Sequence, residues 1–169
     1  TGVNFKVVNG RDGSGPYATI AIAGDIKSKA STVAAGTAGT GGVRLFALDG
    51  DTVDTANAIG RISVGGGLEA SGHDAGVVRL KAGEIATGAI KAIGAEVAVK
   101  AEAAAGISVG SVLAQGGVDG ASIDLSRATG GLTVTAGGPD TFAVKATATG
   151  SETKVRLGGG GSTGGITLN

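Results

Sequence analysis

Two stretches decide the fold: ISVGGGLEASGHDAGVVRLK, from Ile62 to Lys81, and ISVGSVLAQGGVDGASIDLS, from Ile107 to Ser126. They lie 45 residues apart, align without a gap so that Leu68 matches Leu113, and share eight identical residues. Most of the shared residues are alternating apolar positions or turn glycines, so the repeated feature is a scaffold and no catalytic group repeats with it. The sequence therefore predicts a repeat protein.

Small side chains must form the core of this 169-residue chain, which has 35 Gly, three Phe, one Tyr and no Trp, Met or Cys. Aromatic residues usually supply much of the buried area of a globule, and that contribution is missing here. A core of Val, Ile, Leu and Ala needs closely spaced backbones, and stacked β-coils place successive strands about 4.8 Å apart. Glycine suits the tight corners of such coils.

Short apolar runs with period two, bounded by Gly, Asp, Asn or Ser, recur from FKVV at 5–8 to GITL at 165–168 and predict many short strands. We therefore predict an all-β fold, a right-handed parallel β-helix of about seven irregular coils in a single domain over residues 1–169, with two coils in each 45-residue repeat. The alternative is a jelly-roll or β-sandwich subunit, pilin-like, with a donated N-terminal strand from residues 1–10.

Two segments are less regular. Residues 84–105 have apolar spacing compatible with a helix, but Gly88, Gly94 and the alternation of EVAVKA favour strand. The Gly-rich stretch 158–165 is predicted to be a flexible loop.

Three short units carry a resemblance: ISVGGGLEASG from Ile62, LTVTAGG from Leu132 and GGITL from Gly164. Over residues 60–169 the chain resembles, in style, the haemagglutinin-repeat and autotransporter-type passengers of bacterial surface proteins, which are right-handed parallel β-helices. The resemblance implies that fold and an extracellular structural or adhesive role at the bacterial cell surface. It implies no functional residue.

The formal charge is zero, with 14 basic and 14 acidic residues spread along the chain. Nucleic-acid-binding proteins usually carry a basic stripe, and single-strand binders add stacking aromatics; the sequence shows neither, so we expect no nucleic-acid partner. No apolar run reaches about 18 residues, so no membrane-spanning helix is expected. The absence of Cys excludes disulfides and favours secretion.

No catalytic constellation is predicted. The single histidine, His73, lies close to Ser71 and Asp74, but side chains in one short turn cannot take the three positions of a catalytic triad, so an exposed turn histidine is expected. A polysaccharide-cleaving enzyme would need paired acids and aromatic rings that stack on sugars, and the rings are missing. We therefore predict that the chain is not an enzyme.

One acidic turn is the best candidate for a cation site. Asp49, Asp51 and Asp54 could present carboxylate oxygens to calcium. Their spacing matches neither an EF-hand loop nor a solenoid calcium repeat, so a solvated acidic turn is favoured and no cofactor is predicted.

The apolar residues of the terminal strands are candidates for self-assembly, because bare strand edges recruit further strands. They are Phe5 and Val7 near one end of the chain and Ile166 and Leu168 near the other. We predict a subunit of a secreted, self-assembling filament or surface fibre, with further copies of itself as the partner. The alternative is an adhesin or phage-fibre module that binds a glycan or a host-surface ligand.

Overall fold

The computed structural model describes residues 2–9, 18–30, 39–49, 60–125, 130–136, 142–158 and 166–168. Within these ranges the chain forms thirteen strands and no helix. The strands are β1 (Gly2–Asn9), β2 (Thr19–Ile22), β3 (Ile26–Lys29), β4 (Thr40–Asp49), β5 (Arg61–Val64), β6 (Leu68–Ser71), β7 (Ala75–Thr87), β8 (Ile90–Val109), β9 (Val112–Leu125), β10 (Leu132–Val134), β11 (Val144–Thr147), β12 (Thr153–Leu157) and β13 (Ile166–Leu168). The all-β prediction is confirmed. The strand interpretation of residues 84–105 is also confirmed, and the helical alternative is wrong.

Every strand pairing among the described residues is parallel. Winding a chain in stacked circuits places each strand beside the equivalent strand of the next circuit and makes such pairs parallel. Jelly rolls and sandwiches are antiparallel. The structure is therefore compatible with a β-helix, whereas the jelly-roll alternative is wrong, because β1 pairs in parallel with β4 of its own chain. Handedness and the number of coils stay predictions.

The pairings form three ladders. Ladder one joins β1, β4, the first part of β7, the middle of β8, the end of β9 and β12. Residues in register share one side of a ladder and so form columns. The central inward column of ladder one contains, in order, Val3, Val43, Val78, Val99, Ile123 and Val155. β-branched residues suit this stacking because they pack well on a pleated surface.

In ladders two and three, too, residues in register form inward columns of apolar side chains. Ladder two joins β2, β5, the ends of β7 and β8, β10 and β13, and its main inward column contains Ile20, Ile62, Ile85, Ile107, Leu132 and Ile166. Ladder three joins β3, β6, the starts of β8 and β9, and β11, and its column contains Ile26, Leu68, Ile90, Val112 and Val144. The buried apolar residues of all three ladders pack into one core cluster.

The long strands run over corners. β8 contributes residues 90–93 to ladder three, 96–103 to ladder one and 106–109 to ladder two. Sequence patterning treats these as separate short strands because Gly94 and Gly106 interrupt the alternation. One continuous strand can therefore take part in all three ladders.

The 45-residue repeat corresponds to two steps along a ladder, since Ile62 and Ile107 both pair with Ile85. In ladder three, however, Leu68 lies in column with Val112 and not with Leu113. The corner after β5 contains three residues and the corner after β8 contains two, which shifts the register by one. A shift of one residue reverses which side chains face inward. Val112 is therefore buried and Leu113 is only partly buried, so the gap-free alignment is wrong in this ladder.

A bulge in β9 restores the register. Gly94 pairs with Gly116, but Glu96 pairs with Gly120, so three residues of β9 stand opposite one of β8. Gly120 has φ of 106°, a conformation that side chains other than glycine rarely adopt. Beyond the bulge, residues 45 apart in the sequence share a column again, as Val78 and Ile123 do in ladder one.

Candidate assembly ends and a charged groove

The terminal strands of ladder one carry apolar side chains that are exposed. Phe5 is 49% exposed, whereas Leu45, its neighbour in the same column, is 0% exposed. At the other end Val155 is 51% exposed and its neighbour Ile123 is 1% exposed. The columns of the core thus continue to both ends of the ladder without a covering neighbour among the described residues.

Ladder two shows the same change at β13. Ile166 and Leu168 are each 49% exposed, whereas their neighbours Leu132 and Val134 are buried. At the opposite end of this ladder Ile20 is already buried. Among the side chains that the structure describes, the exposed large apolar residues at the β1 end are Phe5 and Val7, both in ladder one.

Unpaired edges accompany these side chains. Among the described strands, β1 pairs with β4 alone, β12 with β9 alone and β13 with β10 alone. Each of these strands therefore has one edge that makes no pairing within the described part of the chain. Such an edge can accept a further parallel strand.

Outward-facing charge is segregated on ladder one. Its outward column contains, in order, Asn4, Arg44, Arg79, Lys100, Asp124 and Arg156. Three cations follow one another at the strand spacing of about 4.8 Å, where like charges repel. In ladder three the corresponding column alternates in sign over Lys27, Glu69 and Lys91. In ladder two, Arg61 forms an ion pair with Glu84 at 3.4 Å.

A groove of about 640 Å³ lies beside this outward column, on strands β7, β8, β9 and β12. We call it the ladder-one groove; its lining includes Arg79, Ala98, Lys100, Ser122, Asp124 and Arg156. Ala98 and Ser122 are in register and small, so they leave room beside the longer charged side chains. The volume is within the range of small-ligand sites, about 300–1,000 Å³.

Asp124 is under-satisfied in this groove. Its Oδ1 atom is shielded from solvent and accepts no hydrogen bond from the described residues. Its Oδ2 atom is 4.0 Å from Arg156 Nη1, at the limit of an ion pair. Ser122 Oγ donates to the carbonyl oxygen of Val97 at 3.3 Å, which leaves the hydroxyl oxygen of Ser122 able to accept. The groove therefore combines the cationic side chains of Arg79, Lys100 and Arg156 with polar acceptors on Asp124 and Ser122.

A second outward column of ladder one holds a buried ion pair. Lys81 lies between Phe46 and Glu102, and Lys81 Nζ is 3.8 Å from Glu102 Oε2. Glu102 Oε1 also contacts Lys100 Nζ at 2.9 Å. The side chains of Lys81 and Glu102 are both largely removed from solvent.

Two aspartates at the corners connect the segments that precede paired strands, β3 with β6 and β4 with β7. The backbone N–H of Gly67 donates to Asp25 Oδ1 at 2.8 Å, and this bond, with the nearby Lys27 ammonium, lowers the pKa of Asp25. Asp74 contacts His73 Nδ1 at 2.7 Å and accepts from the N–H of Gly39 at 2.9 Å, and these bonds lower the pKa of Asp74. Each carboxylate thus accepts a hydrogen bond from the segment before the neighbouring strand, and we call these two contacts the corner clips.

The other residues singled out from the sequence are His73, the acidic turn and the Gly-rich stretch 158–165. His73 lies exposed in the turn before β7, in contact with Asp74. Asp51 and Asp54 lie outside the described residues, as does the side chain of Asp49, which ends β4, so the calcium candidate stays a prediction. Residues 159–165 of the predicted loop are likewise outside. In the described part of the chain, no three His, Asp or Glu side chains converge as metal ligands do.

In the described ranges the structure contains no helix that could span a membrane.

The groove was not predicted from the sequence, because its residues are far apart in the chain. A signal was present in the tripeptide Val-Arg-Leu, which occurs at 43–45, 78–80 and 155–157. In each copy Val and Leu face inward and Arg faces outward. Three copies of one tripeptide in parallel strands indicate a shared column, and the three arginines lie in the same outward column of ladder one.

Comparisons of the whole chain with protein-family models, with curated proteins and with solved structures find no match. The geometry of the chain is therefore the basis for a functional proposal.

Proposed function

We propose that the chain is a structural subunit that assembles end to end into an extracellular filament or surface fibre. The observation that carries the proposal is the exposure of core columns at both ends of ladder one, at Phe5 and Val155. A second copy that continued the columns would bury these side chains as Leu45 and Ile123 are buried now. Burying apolar area is the main favourable term in association.

The proposed junction places β12 of one copy beside β1 of the next. Extending the register would set Val155 against Val3 and Leu157 against Phe5 of the neighbour, residues of the same kinds as those already stacked in these columns. Ile166 and Leu168 would add apolar contact from ladder two. The two surfaces differ, so the contact is heterologous and generates an open filament instead of a closed dimer.

The finer features of the subunit belong to the same proposal. We propose a right-handed parallel β-helix of about seven coils, with residues 1–10 at the junction. Secretion and a place at the bacterial cell surface rest on the resemblance over residues 60–169 and on the absence of Cys. A structural role in such an assembly needs no cofactor.

Point substitutions at the two ends test the junction. Phe5→Lys and Val155→Lys each place a charge in an apolar contact, and Val118→Lys is the control, because Val118 is 66% exposed but lies in the bulge of β9. In negative-stain electron microscopy and sedimentation velocity we expect filaments from the unmodified chain and from Val118→Lys. The two end variants should remain small, with unchanged circular dichroism.

Mixing the end variants sharpens the test. Phe5→Lys retains an intact β12 and Val155→Lys retains an intact β1, so an equimolar mixture should form one good junction per pair and stop at dimers. A chain that stays monomeric at high concentration would overturn the proposal, and so would filaments that survive both end substitutions.

A further inference from the structure

We infer that the ladder-one groove binds an acidic saccharide, one that carries uronate carboxylates and free hydroxyl groups. The groove lies on the outward side of ladder one and reaches β12, so its lining includes Val155, which is also at the proposed junction. Arg79 and Lys100, in the inner strands β7 and β8, are away from that junction, so the inference does not rest on assembly. It starts from Arg44, Arg79 and Lys100, which stack in one column although like charges repel.

The cations are partly available for a ligand. Arg79 lines the groove and has no ion pair with any described residue, while Lys100 shares its charge with Glu102 at 2.9 Å. Arg156 is 4.0 Å from Asp124, too far for a strong hydrogen bond. Guanidinium groups bind carboxylates through two parallel hydrogen bonds, so Arg79 and Arg156, three strand steps apart, are suited to two non-adjacent carboxylates of an extended ligand.

Asp124 decides between classes of anionic ligand. Its shielded Oδ1 atom has no hydrogen-bond donor among the described residues. A phosphate or sulfate chain without hydroxyls would bring only further negative charge to this carboxylate. Oδ1 is closed to a ligand as it is to solvent, but the Asp124 side chain is 28% exposed, and its Oδ2 atom, 4.0 Å from Arg156 Nη1, can accept from a hydroxyl. A saccharide brings hydroxyl donors for this atom as well as carboxylates for the arginines.

The dimensions agree with a short stretch of such a chain. The groove of about 640 Å³ crosses the β7, β8, β9 and β12 strands, and Ala98 and Ser122 keep it open beside the charged column. Successive strands lie about 4.8 Å apart, so a linear ligand lying across them would meet Arg79, Lys100, Asp124 and Arg156 in turn, three cations and one carboxylate.

Isothermal titration with trigalacturonate tests the inference on the full chain, with maltotriose as the neutral sugar and inorganic tripolyphosphate as the anion without hydroxyl donors on carbon. We expect binding of trigalacturonate in the micromolar to low millimolar range and no comparable binding of the other two. Arg79→Gln should weaken binding about tenfold or more, as loss of a charged hydrogen bond does. Lys91→Gln, which removes a cation from ladder three, should leave binding unchanged.

Asp124→Ala gives opposite signs for the two explanations. If hydroxyl groups donate to Asp124, the variant binds trigalacturonate more weakly; if the groove merely attracts anions, removing a negative charge strengthens binding. Stronger binding by Asp124→Ala, equal binding of tripolyphosphate, or no detectable binding of trigalacturonate would each overturn the inference. Circular dichroism of each variant checks that the fold is retained.

Discussion

The inner strands and the terminal strands of ladder one contain the same kinds of residue in different surroundings. Leu80 in β7 lies between neighbours on both sides and is buried, whereas Phe5 in β1 occupies the same column and is half exposed. In this column of ladder one, exposure therefore depends on the position of the strand in the ladder, whereas Ile20 in the terminal strand of ladder two is buried. Inner residues stabilise the fold, and terminal residues are available for contact with another molecule.

Truncation of an inner apolar residue should destabilise the chain far more than truncation of a terminal one. Leu80→Ala removes a fully buried side chain between two strands and should lower the free energy of unfolding by about 2–5 kcal/mol. Phe5→Ala, at the half-exposed end of the column, should cost about 1 kcal/mol or less when the chain is dilute. Urea unfolding followed by circular dichroism measures both. Equal costs would show that the ends of the stack are as well packed as its centre.

The ion pairs provide a second contrast between inner and terminal strands. Glu102→Gln removes a largely buried carboxylate that lies 3.8 Å from Lys81 Nζ and 2.9 Å from Lys100 Nζ, and should cost about 3 kcal/mol. Glu152→Gln disrupts the exposed contact with Lys154 at 2.9 Å beside β12 and should change stability by about 0.5 kcal/mol or less. The same unfolding measurement, repeated in high salt, checks the difference. A salt-sensitive loss at Glu102 would argue against a shielded pair.

Glycines in an inner strand and in an open corner should differ in their tolerance of a Cβ atom. A Cβ atom at Gly76, in β7, would lie 2.5 Å from the carbonyl oxygen of Ile93 in the neighbouring strand, so Gly76→Ala should cost about 1–3 kcal/mol. Gly24, in the corner after β2, has open space around its Cβ position, and Gly24→Ala should stay within about 0.5 kcal/mol of the unmodified chain. Thermal unfolding of both variants tests the assignment; a neutral Gly76→Ala would mean that β7 and β8 are less closely spaced.

The smallest expected effect is a pH dependence of the corner clips. The pKa of Asp25 and the pKa of Asp74 are lowered below 3.8 in the folded chain, so their stabilising contribution is present above that value and is lost as the pH falls through the folded pKa values. Both side chains are exposed, so the contribution is small. Asp25→Asn and Asp74→Asn should each flatten the stability profile below about pH 4. An unchanged profile in the double variant would exclude the clips as its origin.

Much of the architecture was accessible from the sequence. The alternation of apolar residues predicted the strands, and the spacing of the repeat predicted the two steps between Ile62 and Ile107. The equivalence of Leu68 and Leu113 was not predicted correctly, because one residue fewer in the corner before β9 changes which side chain faces inward. Pattern identifies a strand, but the length of a corner decides its register.

The candidate sites were accessible only in part. Exposure of Phe5, Val7, Ile166 and Leu168 is now established for residues that the sequence nominated from their place near the ends of the chain. Val155 was missed, because TKVRL has the same pattern as the buried inner strands. The ladder-one groove was missed because a zero net charge and an even distribution along the chain conceal a cationic column.

The all-β fold, the small-residue strands and the repeat follow from the amino-acid sequence alone. Apolar alternation and the glycines at corners are local properties of neighbouring residues. Only the tertiary structure decided that Arg44, Arg79, Lys100 and Arg156 share one column, and that identical apolar residues are covered in some strands and open in others. Charge columns and burial depend on which strands lie side by side. Parallel pairing of the strands creates these neighbours, since it brings together residues that are distant in sequence.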